Sequence, residues 1–216
     1  MARHSVVSTQ DLDEPRVLAP ERYDPRRRLP SVGTPLSSVA KLATESFHPS
    51  ALAPSVLVLD TTHAVEGLVR THRSPMPGRD VRSSKKILLA GDVIVSRLRP
   101  YLRQVAWIDP QIAASADLLL ASPEFYVLRS VDGRSIAFLV PYLLSSPVQG
   151  ALAAAQEGGH HPRVPRSFVQ DLTVPDAWMA RRDAATADLE RAANGVRSAN
   201  ACVHALVEQA ETAYEV

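Results

Sequence analysis

Residues Ile87–Asp109 read ILLAGDVIVSRLRPYLRQVAWID, two apolar runs joined by a short segment that carries three arginines. In the first run Ala90-Gly91-Asp92 forms a turn, and Val93, Ile94 and Val95 follow as a β-branched series of the kind that fills a buried strand. The second run, Gln104 to Ile108, repeats the strand pattern. Between them, Ser96-Arg97-Leu98-Arg99-Pro100-Tyr101-Leu102-Arg103 contains a proline, which lacks the amide hydrogen that a sheet ladder needs and so marks a loop or bend. Arg97, Arg99 and Arg103 are therefore presented, not packed. A guanidinium on a stiff loop can bond a guanine edge at two points or pair with a phosphate, and Tyr101 beside it can stack on or bond to a sugar or phosphate. The same residues also describe a solvated arginine-rich hairpin with no ligand.

Outward from this hairpin, Ser55-Val56-Leu57-Val58-Leu59-Asp60 is a buried strand, and Glu124-Phe125-Tyr126-Val127-Leu128 is another, with Ala116-Asp117-Leu118-Leu119-Leu120 before it. Pro35 to Ala43 places Leu36, Val39, Ala40 and Ala43 at helical spacing, which predicts a short amphipathic helix capping the core. His63 to Lys86 is a long, weakly patterned connection with a turn at Pro75–Gly78 and many cations, among them Arg70, Arg73, Arg82, Lys85 and Lys86. Connections of that length are usually functional or disordered, and the functional reading makes it a variable loop that helps to read a target. Val131-Asp132-Gly133 is a tight turn. Ser135 to Glu157 is apolar around most of its circumference, so it belongs inside the domain against the sheet, and Pro141 and Pro147 split it into two or three helical pieces. Gly158-Gly159-His160-His161 closes it with residues tolerant of positive φ. Adjacent histidines raise the question of zinc, but no Cys, Asp or Glu cluster stands at ligand spacing nearby, and no metal is expected.

From Asp176 to Tyr214 there is no proline and one glycine, and small or apolar residues recur at Trp178, Ala185, Leu189, Ala192, Val196, Ala199, Val203, Leu206, Ala210 and Ala213. With Arg182 in the one gap, the steps alternate four and three, a heptad seam that predicts a single coiled-coil helix on the order of 57 Å long. Its first turns can fold back on the domain. Its far end cannot, and needs a second helix. These readings divide the chain into an N-terminal arm at 1–35 with Arg26-Arg27-Arg28 as a local cluster, an α+β domain at 36–175 with a mixed sheet and packed helices, and a long dimerisation or partner helix at 176–216.

With 216 residues and 45% hydrophobic content, the chain can bury one ordinary core and carry an appendage. Its single cysteine, Cys202, excludes an internal disulfide and is expected as a small core residue in a reducing compartment. No apolar run suits a signal peptide or a membrane span, which predicts a cytoplasmic protein. A net charge of +1 argues against a polyanionic partner until its distribution is considered. Glu66 to Gln104 holds nine basic residues against three acids, a local +6, and Asp176 to Val216 holds four arginines against seven acids, a local −3. A basic middle and an acidic tail suit one face for nucleic acid and one for protein. There is no Gly-x-Ser-x-Gly elbow, no phosphate-cradling glycine loop, no His-Glu-x-x-His pair and no Asn/Asp-Pro-Pro-Tyr/Phe methyltransferase motif, so neither catalytic residues nor a cofactor are expected.

Several motifs stand in a fixed order. Gly91-Asp92-Val93-Ile94, Ser96, Arg97-Leu98-Arg99-Pro100-Tyr101-Leu102 and a short strand come first; Ile136 to Pro147, IAFLVPYLLSSP, follows; Gly158 to Arg163 then leads through Leu172-Thr173-Val174-Pro175 into the long helix. Glu21-Arg22-Tyr23-Asp24-Pro25 is a fainter match ahead of them. The ordered set resembles the target recognition domains in specificity (S) subunits of type I restriction-modification systems. The resemblance implies a noncatalytic reader of double-stranded DNA that positions a separate adenine methyltransferase subunit, and in a restricting complex a restriction subunit, on its target. It implies that Ser96, Arg97, Arg99, Tyr101, Arg103, His161 and Arg163 lie near DNA with Arg70, Arg73, Arg82, Lys85 and Lys86, and that Trp178, Leu189, Val196, Val203 and Leu206 lie in a helix seam. In that family paired antiparallel helices separate two recognition domains, whereas this chain holds one of each, which implies a homodimer or a pairing with a second half-subunit. Two rival readings stand beside it: a DNA-binding module of another defence complex without a methyltransferase, and a serine hydrolase built on Ser96 with His160 or His161 and an acid.

Overall fold

The computed structural model describes residues 8–12, 23, 29, 32–49, 53–71, 73–158 and 160–214; the Arg26–Arg28 cluster, Gly159 and most of the Glu21–Pro25 motif lie outside them. In chain order the elements are β1 (Thr34–Pro35), β2 (Ala40–Leu42), β3 (Ser46–Phe47), β4 (Val56–Leu59), β5 (Ala64–Val65), β6 (Leu68–Val69), β7 (Lys85–Leu88), β8 (Val93–Ser96), β9 (Val105–Trp107), α1 (Pro110–Ala113), β10 (Leu118–Ala121), β11 (Phe125–Ser130), α2 (Leu139–Leu144), α3 (Ser146–Ala154), α4 (Arg166–Gln170), β12 (Thr173–Val174), α5 (Asp176–Met179) and α6 (Arg182–Thr212). One four-stranded sheet runs β2-β11-β8-β9, antiparallel throughout. A second, mixed sheet runs β3-β7-β10-β4, with β10 and β4 parallel. The pairs β1–β12 and β5–β6 form two small ribbons. The α+β class with a mixed sheet and a long last helix is the one that the sequence predicts.

Period-2 alternation explains how these strands make three layers of core. On β8, Val93 and Val95 face the helices while Ile94 faces the second sheet; on β9, Val105 and Trp107 face the helices while Ala106 faces inward. Tyr126 and Leu128 of β11 join the helical side, and Phe125 and Val127 the side between the sheets. From the second sheet Leu57, Leu59, Leu88, Leu119 and Ala121 complete that inter-sheet layer, and Val56, Val58 and Leu120 build a third cluster on its outer face with Phe47 and Val81. Strands apolar on both faces read as unbroken runs, which is why VIV, VLVL and LLL carry no visible alternation.

Asp92 fixes the entry to β8. Gly91 turns the chain at φ 89°, and the buried Asp92 carboxylate accepts the Leu89 amide at 2.8 Å and two bonds from Arg129, Nε to Oδ1 at 2.9 Å and Nη2 to Oδ2 at 2.8 Å.

Three local expectations are corrected. Pro35–Ala43 is not a helix: a 3-10 turn at Leu36–Ser38 runs into β2, which pairs with β11 through Leu42↔Leu128 and Ala40↔Ser130. Leu36, Val39 and Ala40 are buried as the helical spacing requires, but a turn and an edge strand bury them equally well while satisfying the free edge of β11. Ser135–Glu157 does split into two helices, α2 and α3, with Pro147 in the first turn of α3, but Pro141 does not break its helix, because it stands at the third position of α2, where the missing amide hydrogen would have no intrahelical acceptor. The tail is not one helix either. It breaks at Ala180 and Arg181, where Trp178 turns inward and donates its indole Nε1–H to the Phe138 carbonyl at 3.1 Å. The remaining 31-residue α6 is about 46 Å long at the helical rise.

Candidate nucleic-acid interface

Local chain chemistry makes the arginine loop stiff. Ser96, buried at the end of β8, accepts the Leu98 amide with its Oγ at 3.2 Å and donates back to the Leu98 carbonyl at 3.0 Å. Its hydroxyl is committed to a turn, which removes the support for a serine nucleophile. Beyond it Arg99 and Arg103 adopt φ of 46° and 53°, and between them Pro100–Leu102 form a 3-10 turn closed by Leu102 N–H to Arg99 O at 2.9 Å and Arg103 N–H to Pro100 O at 2.8 Å. Two non-glycine residues in the left-handed region cost energy that surrounding contacts must offset, and such strain clusters at binding loops. Pro100 is buried, whereas Arg99, Tyr101 and Leu102 are exposed, Tyr101 by 70%.

The base of the loop is knitted to two distant segments. The Arg97 amide donates to Glu124 O at 2.9 Å, the Val164 amide donates to Arg97 O at 2.9 Å, and Leu98 forms an isolated bridge with Arg163. Side chains repeat the link. Arg163 grips the Glu124 carboxylate at two points, Nε at 3.0 Å and Nη2 at 2.7 Å, and its Nη1 donates to the His161 carbonyl at 3.1 Å. Arg97 reaches the same carboxylate only to 3.7 Å, and its guanidinium lies 5.7 Å from the centre of the Tyr126 ring. Lys86 lies 5.5 Å from that ring and donates to the Phe125 carbonyl, while the Tyr126 hydroxyl donates to Val164 O at 2.7 Å. Burial holds the Lys86 ammonium below its ordinary range, and the charges of Arg97 and Arg166 push it further. The Arg163 bond holds the Glu124 carboxyl below its usual range, so this brace is intact at neutral pH and is lost only as pH falls through that lowered value.

The other expected contacts are spread out. Arg103 stands 3.8 Å from Glu66, Arg73 pairs with Asp60 at 2.8 Å, Lys85 bonds Ser83, and Arg82 is exposed. Arg70 lines a groove with Thr71, Asp109, Val196, Arg197 and His204, between β6 and α6. His160 and His161 lie ring to ring at 5.9 Å, and no cluster of three potential metal ligands occurs among the described residues. The structure thus gathers Lys86, Arg97 and Arg163 at one place and Arg99, Tyr101 and Arg103 on the adjoining turn. It adds two residues that sequence reasoning missed, Glu124 and Arg166. Glu124 meets Arg163 across 39 residues, a separation with no local signature.

Helix α6 divides into two halves. Ala185 and Ala193 are buried and Leu189 packs on the helical core, with Arg182 buried and donating to Asp132 at 2.9 and 3.0 Å. These bonds hold the Asp132 carboxyl far below its usual range. Arg134 pairs with Asp183 at 2.8 Å and Arg197 with Asp109 at 2.8 Å. From Ser198 to Tyr214 every residue is exposed, including Val203 at 59%, Leu206 at 58% and Val207 at 49%. Of the expected seam, Trp178 and Leu189 therefore pack on the chain's own domain and Val196 lines the groove beside it, while Val203 and Leu206 remain uncovered. The buried stripe passes through Ala193 and not Ala192, because a straight helix advances 3.6 residues per turn and drifts off a strict heptad. Cys202 is exposed on this distal half and is no core residue. Among the described residues no helix is long and apolar enough to cross a membrane.

No family model and no curated protein matches the sequence. Solved structures do. The fold is similar to a chain from work on the structural basis of complex assembly and conformational transition of the type I R-M system, with a TM-score of 0.58, 24% identity, and coverage of 79% of this chain and 44% of that one. It is also similar to the HsdS subunit from Thermoanaerobacter tengcongensis, with a TM-score of 0.53, 23% identity, and coverage of 78% and 44%. The chain spans less than half the length of the solved chains it matches.

Proposed function

We propose that this chain is a noncatalytic DNA-recognition subunit of the type I restriction-modification kind, which reads one half of a duplex target and positions a separate adenine methyltransferase on it. The observation that carries the reading is the braced loop: two left-handed residues hold Arg99 and Tyr101 exposed on a turn whose base is fixed by Glu124, Arg163 and Val164. A reading side chain must be held rigidly, since a guanidinium gains base discrimination only from two-point geometry. The fold likeness to chains of R-M systems supports the same reading. A second copy of the chain, paired antiparallel through the uncovered half of α6, supplies the other recognition domain, and the methyltransferase and any restriction subunit dock on the helix pair.

Arg99 is the residue expected to read a base. Arg99→Ala should weaken binding to the preferred duplex by about 1–3 kcal/mol and relax preference at one position, leaving non-target binding nearly unchanged. Selection of duplexes from a random pool with the wild-type and variant chains measures this; identical selected sequences and affinities would remove the loop as the reading element. Without its partner the chain should bind duplex weakly and with a steep salt dependence, because one half-site offers few phosphate contacts. Adding the methyltransferase should raise affinity and specificity together. Recovery of the chain from cells with a defence complex that contains no methyltransferase would instead favour a different assembly.

A further inference from the structure

The cluster beneath the arginine loop gathers cations about Glu124 and the Tyr126 ring: Arg163 bonds the carboxylate, Arg97 stands 3.7 Å from it, Lys86 and Arg97 lie 5.5 and 5.7 Å from the ring centre, and the ring hydroxyl bonds the Val164 carbonyl, two residues before Arg166. They are not equivalent. Arg163 is spent: three of its nitrogens are bonded, two on Glu124 and one on the His161 carbonyl. Arg97 is held by the Tyr126 ring and by its backbone, its Nε has no hydrogen-bond partner, and its distance of 3.7 Å to Glu124 is too long for a bond. Arg166 is exposed and makes no ion pair or hydrogen bond among the described residues, yet it lies near enough to Lys86 and Tyr126 to bias both electrostatically. Both carboxylate oxygens are bonded by Arg163, so Arg97 and Lys86 have only a longer-range share of that charge, and Arg166 has no paired anion among the described residues. Like charges gathered at this cost are stabilised by an anion that bridges them, and an exposed site on a duplex-binding face meets phosphates.

We propose that Lys86, Arg97 and Arg166 form a site for one phosphate of the DNA backbone, and that the Glu124–Arg163 pair is the brace that positions it, Arg163 itself taking no part in binding. This deepens the proposed function and rests on it. It also divides the labour of the loop: Arg99 reads, while Arg97 and Arg166 anchor. Arg166 had no place among the residues expected to touch DNA, and Arg163 leaves that set.

The test compares two duplexes, one selected from a random pool by the wild-type chain and one with that sequence scrambled, titrated at several salt concentrations. Arg166→Ala, whose side chain makes no hydrogen bond or ion pair among the described residues, should weaken binding equally on both duplexes and make the salt slope shallower by about one unit. Glu124→Gln removes a negative charge but frees Arg163, so it should tighten the scrambled duplex and lower the ratio of selected to scrambled affinity. Arg163→Lys, which keeps the charge and loses the two-point bond, should lower that ratio without a change in salt slope, whereas a phosphate-binding Arg163 would tolerate lysine. Wild-type binding with an unchanged Arg166→Ala slope overturns the phosphate site alone. A wild-type chain that selects no sequence overturns the proposed function and this site with it.

Discussion

Replacing Val203, Leu206 and Val207 together by Glu should give a folded monomer that no longer supports methylation. These three residues stand 49–59% exposed on the half of α6 that nothing in its own domain covers, Val203 and Val207 in line with the face that Leu189 and Ala193 bury further up the helix and Leu206 at its margin. A second α6 laid antiparallel over this half would bury six such side chains, since each copy contributes three. Placing carboxylates there costs several kcal/mol per buried ion, so dimerisation should weaken at least a hundredfold. The fold itself should survive, because the anchoring contacts of α6, Arg182 with Asp132 and Arg197 with Asp109, lie in the other half. Light scattering with a thermal melt checks both parts. Leu189→Glu is the contrasting variant: it drives a charge into the helical core and should unfold the domain. A wild-type chain that stays monomeric at micromolar concentration with the methyltransferase bound would assign the distal helix to that partner.

Asp92→Ala should destabilise the domain by about 3–5 kcal/mol, a large share of the total for a chain of this size. The Asp92 side chain is 2% exposed, and the Arg129 guanidinium that it binds at two points is 18% exposed. Removing the carboxylate leaves a largely buried cation with the Ile87 carbonyl at 3.3 Å and the mostly exposed Glu45 at 3.3 Å, and leaves the Leu89 amide without its acceptor. The loss falls at the turn into β8, the strand from which the arginine loop springs. Asp92→Asn keeps an acceptor for Leu89 and should lose less. Urea unfolding of the three proteins orders them; an unfolding midpoint for the alanine variant within error of wild type would show that the pair contributes nothing net.

How much of this was legible in the chain depends on the range of the interaction. The β8–β9 hairpin was, because β-branched runs, Gly91 and Pro100 act locally and the structure keeps each where its chemistry puts it. The long helix was legible from its spacing, but not the half of it that docks: Arg182, entered as a gap in an apolar seam, is a buried anchor whose partner Asp132 stands 50 residues earlier. Pro35–Ala43 misled because i, i+3, i+4, i+7 burial is also met by a turn and an edge strand, and only the free edge of β11 decides between them. At the candidate site the exposed residues, Arg99 and Tyr101, could be named from the loop alone. The brace could not, since Glu124 and Arg163 come together only through the pairing of Leu98 with Arg163 and of Arg97 with Glu124.

In the proposed function this chain directs methylation to one DNA sequence. Mapping adenine methylation across the host genome with and without its gene tests that most directly. Deletion should erase methylation at a single motif made of two inverted half-sites with an unread spacer of constant length, and Arg99→Ala in place of the wild-type gene should relax one position in each half-site. Methylation maps that are identical with and without the gene would contradict it.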